Sequence, residues 1–128
     1  MSDGLADTSI FIARENGRPL RADALPDRIA VSVITVGELR AGVLAAGDLA
    51  TRDRRLTTLA AVLALSPVPV DDDVAAAWAR LRLALRERGR RMAVNDSWIA
   101  ATAIALDVPL VTQDDDLLDV PGLRVIRA

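Results

Sequence analysis

The stretch "VPLVTQDDDLLDVPGL" (108–123) sets a short apolar run, 108–112, just before three adjacent carboxylates, Asp114, Asp115 and Asp116. Five mostly apolar residues bounded by turn formers read as a buried strand. The acids that follow read most simply as a solvated turn, because Asp favours turns and loop starts. Three like charges side by side also repel one another, so the turn reading alone leaves their number unexplained. The fold follows from asking which other segments end in the same way.

"LADTSIFIA" (5–13) repeats the pattern at the start of the chain: a strand at about 4–6, then Asp7, then a helix at 9–16. "RIAVSVI" (28–34) reads as a second strand, followed by a helix over "TVGELRAGVLAAG" (35–47) in which Val36, Leu39 and Val43 share a face and Gly47 is a plausible stop. The segment 49–65 reads as the second helix of a hairpin, and "SPVPV" (66–70) as an edge strand because of its prolines. "DDDVAAAWARLRLALRERG" (71–89) opens with acids and closes with Arg and Gly, as a long helix should. Trp78, Leu81 and Leu85 mark its buried face, and Trp78 and Trp98 both read as core residues by periodicity. "NDSWIAATAIAL" (95–106) is a further helix and "LRVI" (123–126) a last strand. Strands separated by helices predict an α/β protein, a three-layer α/β/α sandwich around a short parallel sheet, with residues 1–128 forming a single domain. In such sheets ligands gather outside the carboxyl ends of the strands.

Composition narrows the chemistry. The chain has no cysteine, histidine, tyrosine or lysine, and all 16 basic residues are arginine. Catalytic triads built on histidine, thiolate nucleophiles, Schiff-base lysines and phosphate-loop lysines are therefore excluded. A phosphatase or phospho-receiver reading of Asp7 fails for the same reason, since that chemistry wants a lysine beside the phosphoryl group, and "DTSIF" lacks a second nearby Asp. Any catalysis must rest on carboxylates. The apolar runs are too short to span a bilayer, and the N-terminus shows no basic lead-in or cleavage site, so the chain reads as cytoplasmic with no membrane partner. A net charge of −2 gives no global attraction to nucleic acid, yet six arginines with one acid, Glu87, fall within 80–91.

Four acids stand apart from the ordinary surface set. Asp7 and Asp114 each follow a strand, Glu38 lies in the first turns of a helix beside Gly37, Ala41 and Gly42, and Asp96 begins another helix. Each has a plain explanation: a helix cap for Asp7 and Asp96, a turn for Asp114, a surface position for Glu38. Together, at one edge of a parallel sheet, they would repel and resist ionisation unless a hard cation neutralised them. Mg²⁺ or Mn²⁺ prefers oxygen ligands, keeps waters for a phosphate substrate and activates water for attack on a phosphodiester. Thr8 and Ser9 are suited to orient a carboxylate or cap the helix.

"LADTSIFIA", "VSVITVGELRAGV", "VNDSWIAATAIA" and "LVTQDDDLLDVPGLRVI" occur in that order over almost the whole chain, and the set resembles PIN-domain ribonucleases, particularly the VapC toxins of toxin–antitoxin pairs. The resemblance implies a PIN-like parallel sheet, Mg²⁺- or Mn²⁺-dependent RNA cleavage, a VapB-like antitoxin partner and a homodimer. It assigns the catalytic acids to Asp7, Glu38, Asp96 and Asp114, and metal binding to Asp7, Asp96, Asp114 and Asp116, with Asp116 acting at one remove and Asp115 facing water. Asn95, Ser97 and Thr112 join Thr8 and Ser9 as supporting residues. This chain departs from the family pattern in the added Asp115 and in Leu117, where an aromatic is frequent.

For RNA, a looped or single-stranded target such as tRNA is the expected class, with Arg80, Arg82 and Arg86 as phosphate contacts and Arg52, Arg54 and Arg55 as a second candidate group. Solvated helix faces account for both groups more simply. The apolar faces of 35–65 suit either the antitoxin or a second copy, or the core itself. Two other readings stand beside the toxin: a PIN nuclease of RNA maturation, and a PIN-like domain that binds RNA or a partner without cutting.

Overall fold

A computed structural model describes residues 1–128. Four strands, β1 (Asp3–Ala6), β2 (Arg28–Val31), β3 (Leu110–Thr112) and β4 (Val125–Arg127), form one parallel sheet in the order β2-β1-β3-β4. Five helices connect them: α1 (Thr8–Glu15), α2 (Val33–Leu44), α3 (Leu49–Leu63), α4 (Asp72–Glu87) and α5 (Val94–Leu106). The α/β architecture expected from the alternating pattern is the one found.

The pleat explains the layering. In the β1–β3 register Leu5 is paired with Leu110 and Ala6 with Val111, so adjacent residues of each strand face opposite sides. Ala6, Val31 and Val111 pack with Ile10 and Phe11 of α1, Val36 and Leu39 of α2, and Leu59 and Val62 of α3. Leu5 and Leu110 pack on the other side with Ile99 and Ala103 of α5 and with Leu117. α4 lies outside α5, its Leu81 and Leu85 meeting Ala100 and Val120. Each fully buried Leu or Ile at the sheet contributes roughly 1.5–3 kcal/mol. Gly4 of β1 has no room for a side chain: a Cβ there would stand 2.7 Å from Pro26 Cγ and 3.0 Å from a Val111 methyl.

Several boundaries differ from the sequence reading, each for a local reason. The apolar run 28–34 is not one strand. It stops at Val31 because Ser32 accepts a hydrogen bond from the Ile34 amide and starts α2 at once. α2 ends at Leu44, before Gly47. The expected strand 66–70 is reduced to a single parallel bridge between Val68 and Ser32, at the β2 edge where Pro67 and Pro69 leave few donors. Trp78 and Trp98 are half-buried rather than core; their rings stack on each other at 4.3 Å and 2°, between α4 and α5.

The strand order places the reversal of winding direction between β1 and β3. β1 runs on to α1 and β2 on one side, while β3 and β4 lie on the other. A crevice opens at the carboxyl ends of two such strands, which is where a ligand site is expected in an open α/β sheet. Asp7 follows β1 and Asp114 follows β3.

Candidate active site

Asp7 is buried at 4% exposure and is tied on both oxygens. Its Oδ1 accepts from the Ser9 amide at 3.0 Å and the Ser9 hydroxyl at 2.5 Å, and its Oδ2 accepts from the Thr112 hydroxyl at 2.6 Å. The helix-cap reading of Asp7 is therefore true, and it does not exhaust the residue: Oδ2 takes a single donor and keeps a lone pair. Burial raises the Asp7 carboxyl above its ordinary range, opposed by the Ser9 and Thr112 hydrogen bonds and reinforced by the charge of Asp114.

Thr112 and Ser9 knit the two strand ends together. The fully buried Thr112 hydroxyl, while donating to Asp7, accepts from the Asp114 amide at 2.9 Å. The Ser9 hydroxyl accepts from the Gln113 amide at 3.0 Å. Asp114 in turn caps a 3-10 turn over Asp115–Leu117, its Oδ1 accepting from the Asp116 amide at 2.9 Å. On the other flank the Thr8 hydroxyl donates to Glu38 Oε1 at 2.6 Å and contacts the Thr35 hydroxyl at 2.9 Å. Glu38, half-buried, is thereby aimed from α2 toward the start of α1. Glu38 and Asp114 each have one oxygen anchored by the protein and the other without a protein donor, while Asp7 is anchored on both and keeps acceptor capacity on Oδ2.

Asp96 differs. It lies in the first turn of α5, but the cap position is Ala93 and no side chain caps the helix there, so the capping explanation fails. Its carboxylate accepts no hydrogen bond from the protein, and its pKa is pushed up to about 6, first by burial and then by the charges of Glu38, Asp7, Asp114 and Asp116. Acids from three other segments therefore act on one carboxyl group: Asp7 after β1, Glu38 of α2, and Asp114 and Asp116 of the loop after β3.

A family model of the PIN domain matches residues 5–123, nearly the full length of the chain and every segment that contributes a carboxylate. The chain belongs to the PIN-domain family. Among relatives, Ribonuclease VapC5 of Mycobacterium tuberculosis is 51% identical over 124 residues, covering 97% of this chain and 92% of the relative. Ribonuclease VapC4 of the same organism is 45% identical over 127 residues, with 95% and 94% covered. The crystal structure of VapBC-5 from Mycobacterium tuberculosis, a member of the VapBC family of toxin–antitoxin systems, superposes with a TM-score of 0.90 at 46% identity, and both chains are covered completely.

The remaining predicted residues of this PIN domain divide. Asp116 is exposed at the rim, close enough to be felt by Asp96. Asp115 is exposed to water, as expected, and also accepts from Arg127 Nε at 2.7 Å. Asn95 is exposed and lines a shallow cavity with Glu38, Gly37 and Ala41. Ser97 is buried and takes no part in holding carboxylates. It accepts from Trp78 Nε1 at 3.0 Å and donates to the Val94 carbonyl at 2.6 Å, docking α4 on α5. Arg82 lies over the Trp78 ring at 5.1 Å. With Arg86, Arg90 and Arg91 it lines a groove, and a neighbouring cavity, which shares Arg90, Arg91 and Met92, reaches Asp96 and Asp116; Arg80 lines neither. Thr35 and Gln113 were missed. Thr35 could have been found as a polar residue three before Glu38 on the same face of an apolar helix; the Gln113 contribution is a backbone amide and carries no sequence signal.

The donors fit a hard divalent cation in kind, being carboxylate oxygens with acceptor capacity to spare. No three acidic side chains close into a ready cage.

Proposed function

We propose that this chain is a metal-dependent endoribonuclease, the toxin of a type II toxin–antitoxin pair, inhibited by a VapB-like antitoxin. The observation that carries the proposal is the convergence of Asp7, Glu38, Asp114 and Asp116 on Asp96 at the switch point of the sheet. The names of the VapC ribonucleases and of the VapBC complex it resembles supply the reaction and the partner.

In this reading Asp7, Asp96 and Asp114 hold Mg²⁺ or Mn²⁺, Asp116 acts through water, and Glu38 orients the inner side of the site. When bound, the cation supplies Lewis acidity toward water and the phosphoryl oxygens. The protein's own part is to hold these oxygens still: Ser9 and Thr112 for Asp7, Thr112 for the Asp114 backbone, Thr8 and Thr35 for Glu38. The scissile phosphate of a looped or single-stranded RNA, such as a tRNA loop, enters past Arg82, Arg86 and Arg91, whose groove leads toward Asp96. Arg80, exposed on the same helix, makes an outer contact. Exposed apolar side chains along α2 and α3, including Leu44 and Leu49, offer a face for the antitoxin or for a second copy in a homodimer.

The test is cleavage of a total small-RNA pool by purified, antitoxin-free protein with Mg²⁺ or Mn²⁺, with new 5′ ends sequenced and with EDTA and Asp96→Asn as controls. Discrete cuts lost in both controls are expected. Cuts that survive both controls would sink the metal–carboxylate mechanism, and none from folded protein would favour an RNA-binding or partner-binding PIN-like domain instead.

A further inference from the structure

Arg90 sits where α4 ends, and its surroundings are unlike those of the other arginines near the site. Gly89, with φ +63°, terminates the helix: its amide donates to the Arg86 carbonyl at 3.0 Å and the Arg90 amide donates to the Leu85 carbonyl at 2.9 Å. This paired C-terminal cap needs a left-handed residue, which glycine adopts without strain. The chain therefore turns off the helix at Arg90 and sends its side chain toward the acidic loop after β3.

There the guanidinium meets three backbone carbonyls. Nη1 donates to Asp119 at 2.6 Å, and Nη2 donates to Asp116 at 2.6 Å and to Leu118 at 3.0 Å. The same cavity wall carries Asp96, Asp115, Asp116 and Asp119, yet Arg90 forms a salt bridge with none of them. A cation beside carboxylates but bound to carbonyls leaves Asp96 and Asp116 without an arginine partner. Asp119 is itself left-handed, with φ +61°, which Asp tolerates better than most residues but which still needs support. The first half of the loop is held by buried Leu117, by the Thr112 and Asp114 side chains and by the Arg127–Asp115 ion pair, while from Leu118 to Val120 the side-chain bonds come from Arg90 alone.

We infer that Arg90 is a positioning residue, a three-point brace that fixes the loop bearing Asp114 and Asp116 relative to Asp96 and so sets the divalent-cation affinity of the site. The inference rests on the metal-dependent reading above. A planar guanidinium reaches the three carbonyls from two nitrogens of a fixed fork; a lysine ammonium has three donors but on a single atom and cannot hold the same fork. Arg90 lines the same groove as Arg86 and Arg91 but differs from them in that its guanidinium is bound to three carbonyls.

The test compares full-length wild type with Arg90→Lys and Arg90→Gln in two measurements that need no RNA. Amide hydrogen exchange of metal-free protein should accelerate about tenfold across 114–120 in both variants, with the sheet unchanged. The Kd for Mn²⁺ alone should rise about tenfold, the effect of losing a partner that orients metal ligands. In cleavage assays kcat should fall with little change in KM. Wild-type exchange and Mn²⁺ affinity in Arg90→Gln would overturn the inference, as would an effect confined to KM and to its salt dependence, the mark of a phosphate contact. If Arg90→Gln does not fold, Arg90→Lys decides: wild-type behaviour would show that charge alone suffices and the brace is wrong. Wild-type protein that binds Mn²⁺ but cuts no RNA would sink the ribonuclease reading and leave the brace standing.

Discussion

At Asp96, function and stability pull in opposite directions. Its pKa in the folded protein is about 6, against an ordinary 3.8. Between those values the folded state holds more proton than the unfolded one, so stability falls as pH rises. The contribution is complete below about pH 4 and lost once the pH passes 6. Taken whole the shift is worth about 3 kcal/mol; the group is half open to solvent, and screening reduces this to on the order of 1–2 kcal/mol. Asp96→Asn should therefore abolish cleavage while raising the stability of metal-free protein at pH 7.5 by on the order of 1 kcal/mol, read by urea denaturation. A destabilised Asp96→Asn protein at that pH would contradict this account of the site. Thr112→Val removes the donor to Asp7 and the acceptor for the Asp114 amide in a near-isosteric change. It should lower Mn²⁺ affinity or activity by about 10–100-fold, the usual cost of losing a partner that orients metal ligands.

Among the elements, β1 is closely packed at Gly4. Gly4→Ala would press its new methyl into Pro26 and Val111, and should destabilise the protein by about 1–3 kcal/mol in thermal or urea unfolding without moving a catalytic residue. How much of this was legible beforehand depends on the range of the interactions involved. β1, β3, α4 and α5 were readable because their apolar periods are local, and Asp7 and Asp114 because a strand end followed by an acid is a local pattern. Ser32 as a cap was hidden inside an apolar run, so 28–34 looked like one strand. Ser97 sat beside Asp96 in sequence and was grouped with it, but the helix turns it about 100° away to meet Trp78. The Arg90 contacts join residues 26 to 29 positions apart through backbone carbonyls, for which sequence holds no mark.

For the whole molecule, the charge distribution matters more than the net charge of −2. Arginines of α4 and its C-terminal turn line a groove that leads to the acids at the sheet edge. If that groove carries RNA, Arg86→Gln should raise KM and reduce the slope of log affinity against log salt by about 0.7, the value for one single-strand phosphate contact. The fold's larger task is to bring β1, α2, α5 and the loop after β3 to one point, so that mutually repelling acids acquire a shared use. That use is tested most directly by titrating Mn²⁺ into metal-free wild type and Asp7→Asn by calorimetry, with circular dichroism confirming that both are folded. A binding event in the wild type that weakens at least about tenfold in Asp7→Asn is the predicted result. Identical titrations, or no binding to either protein, would mean that the converging carboxylates are not a metal site.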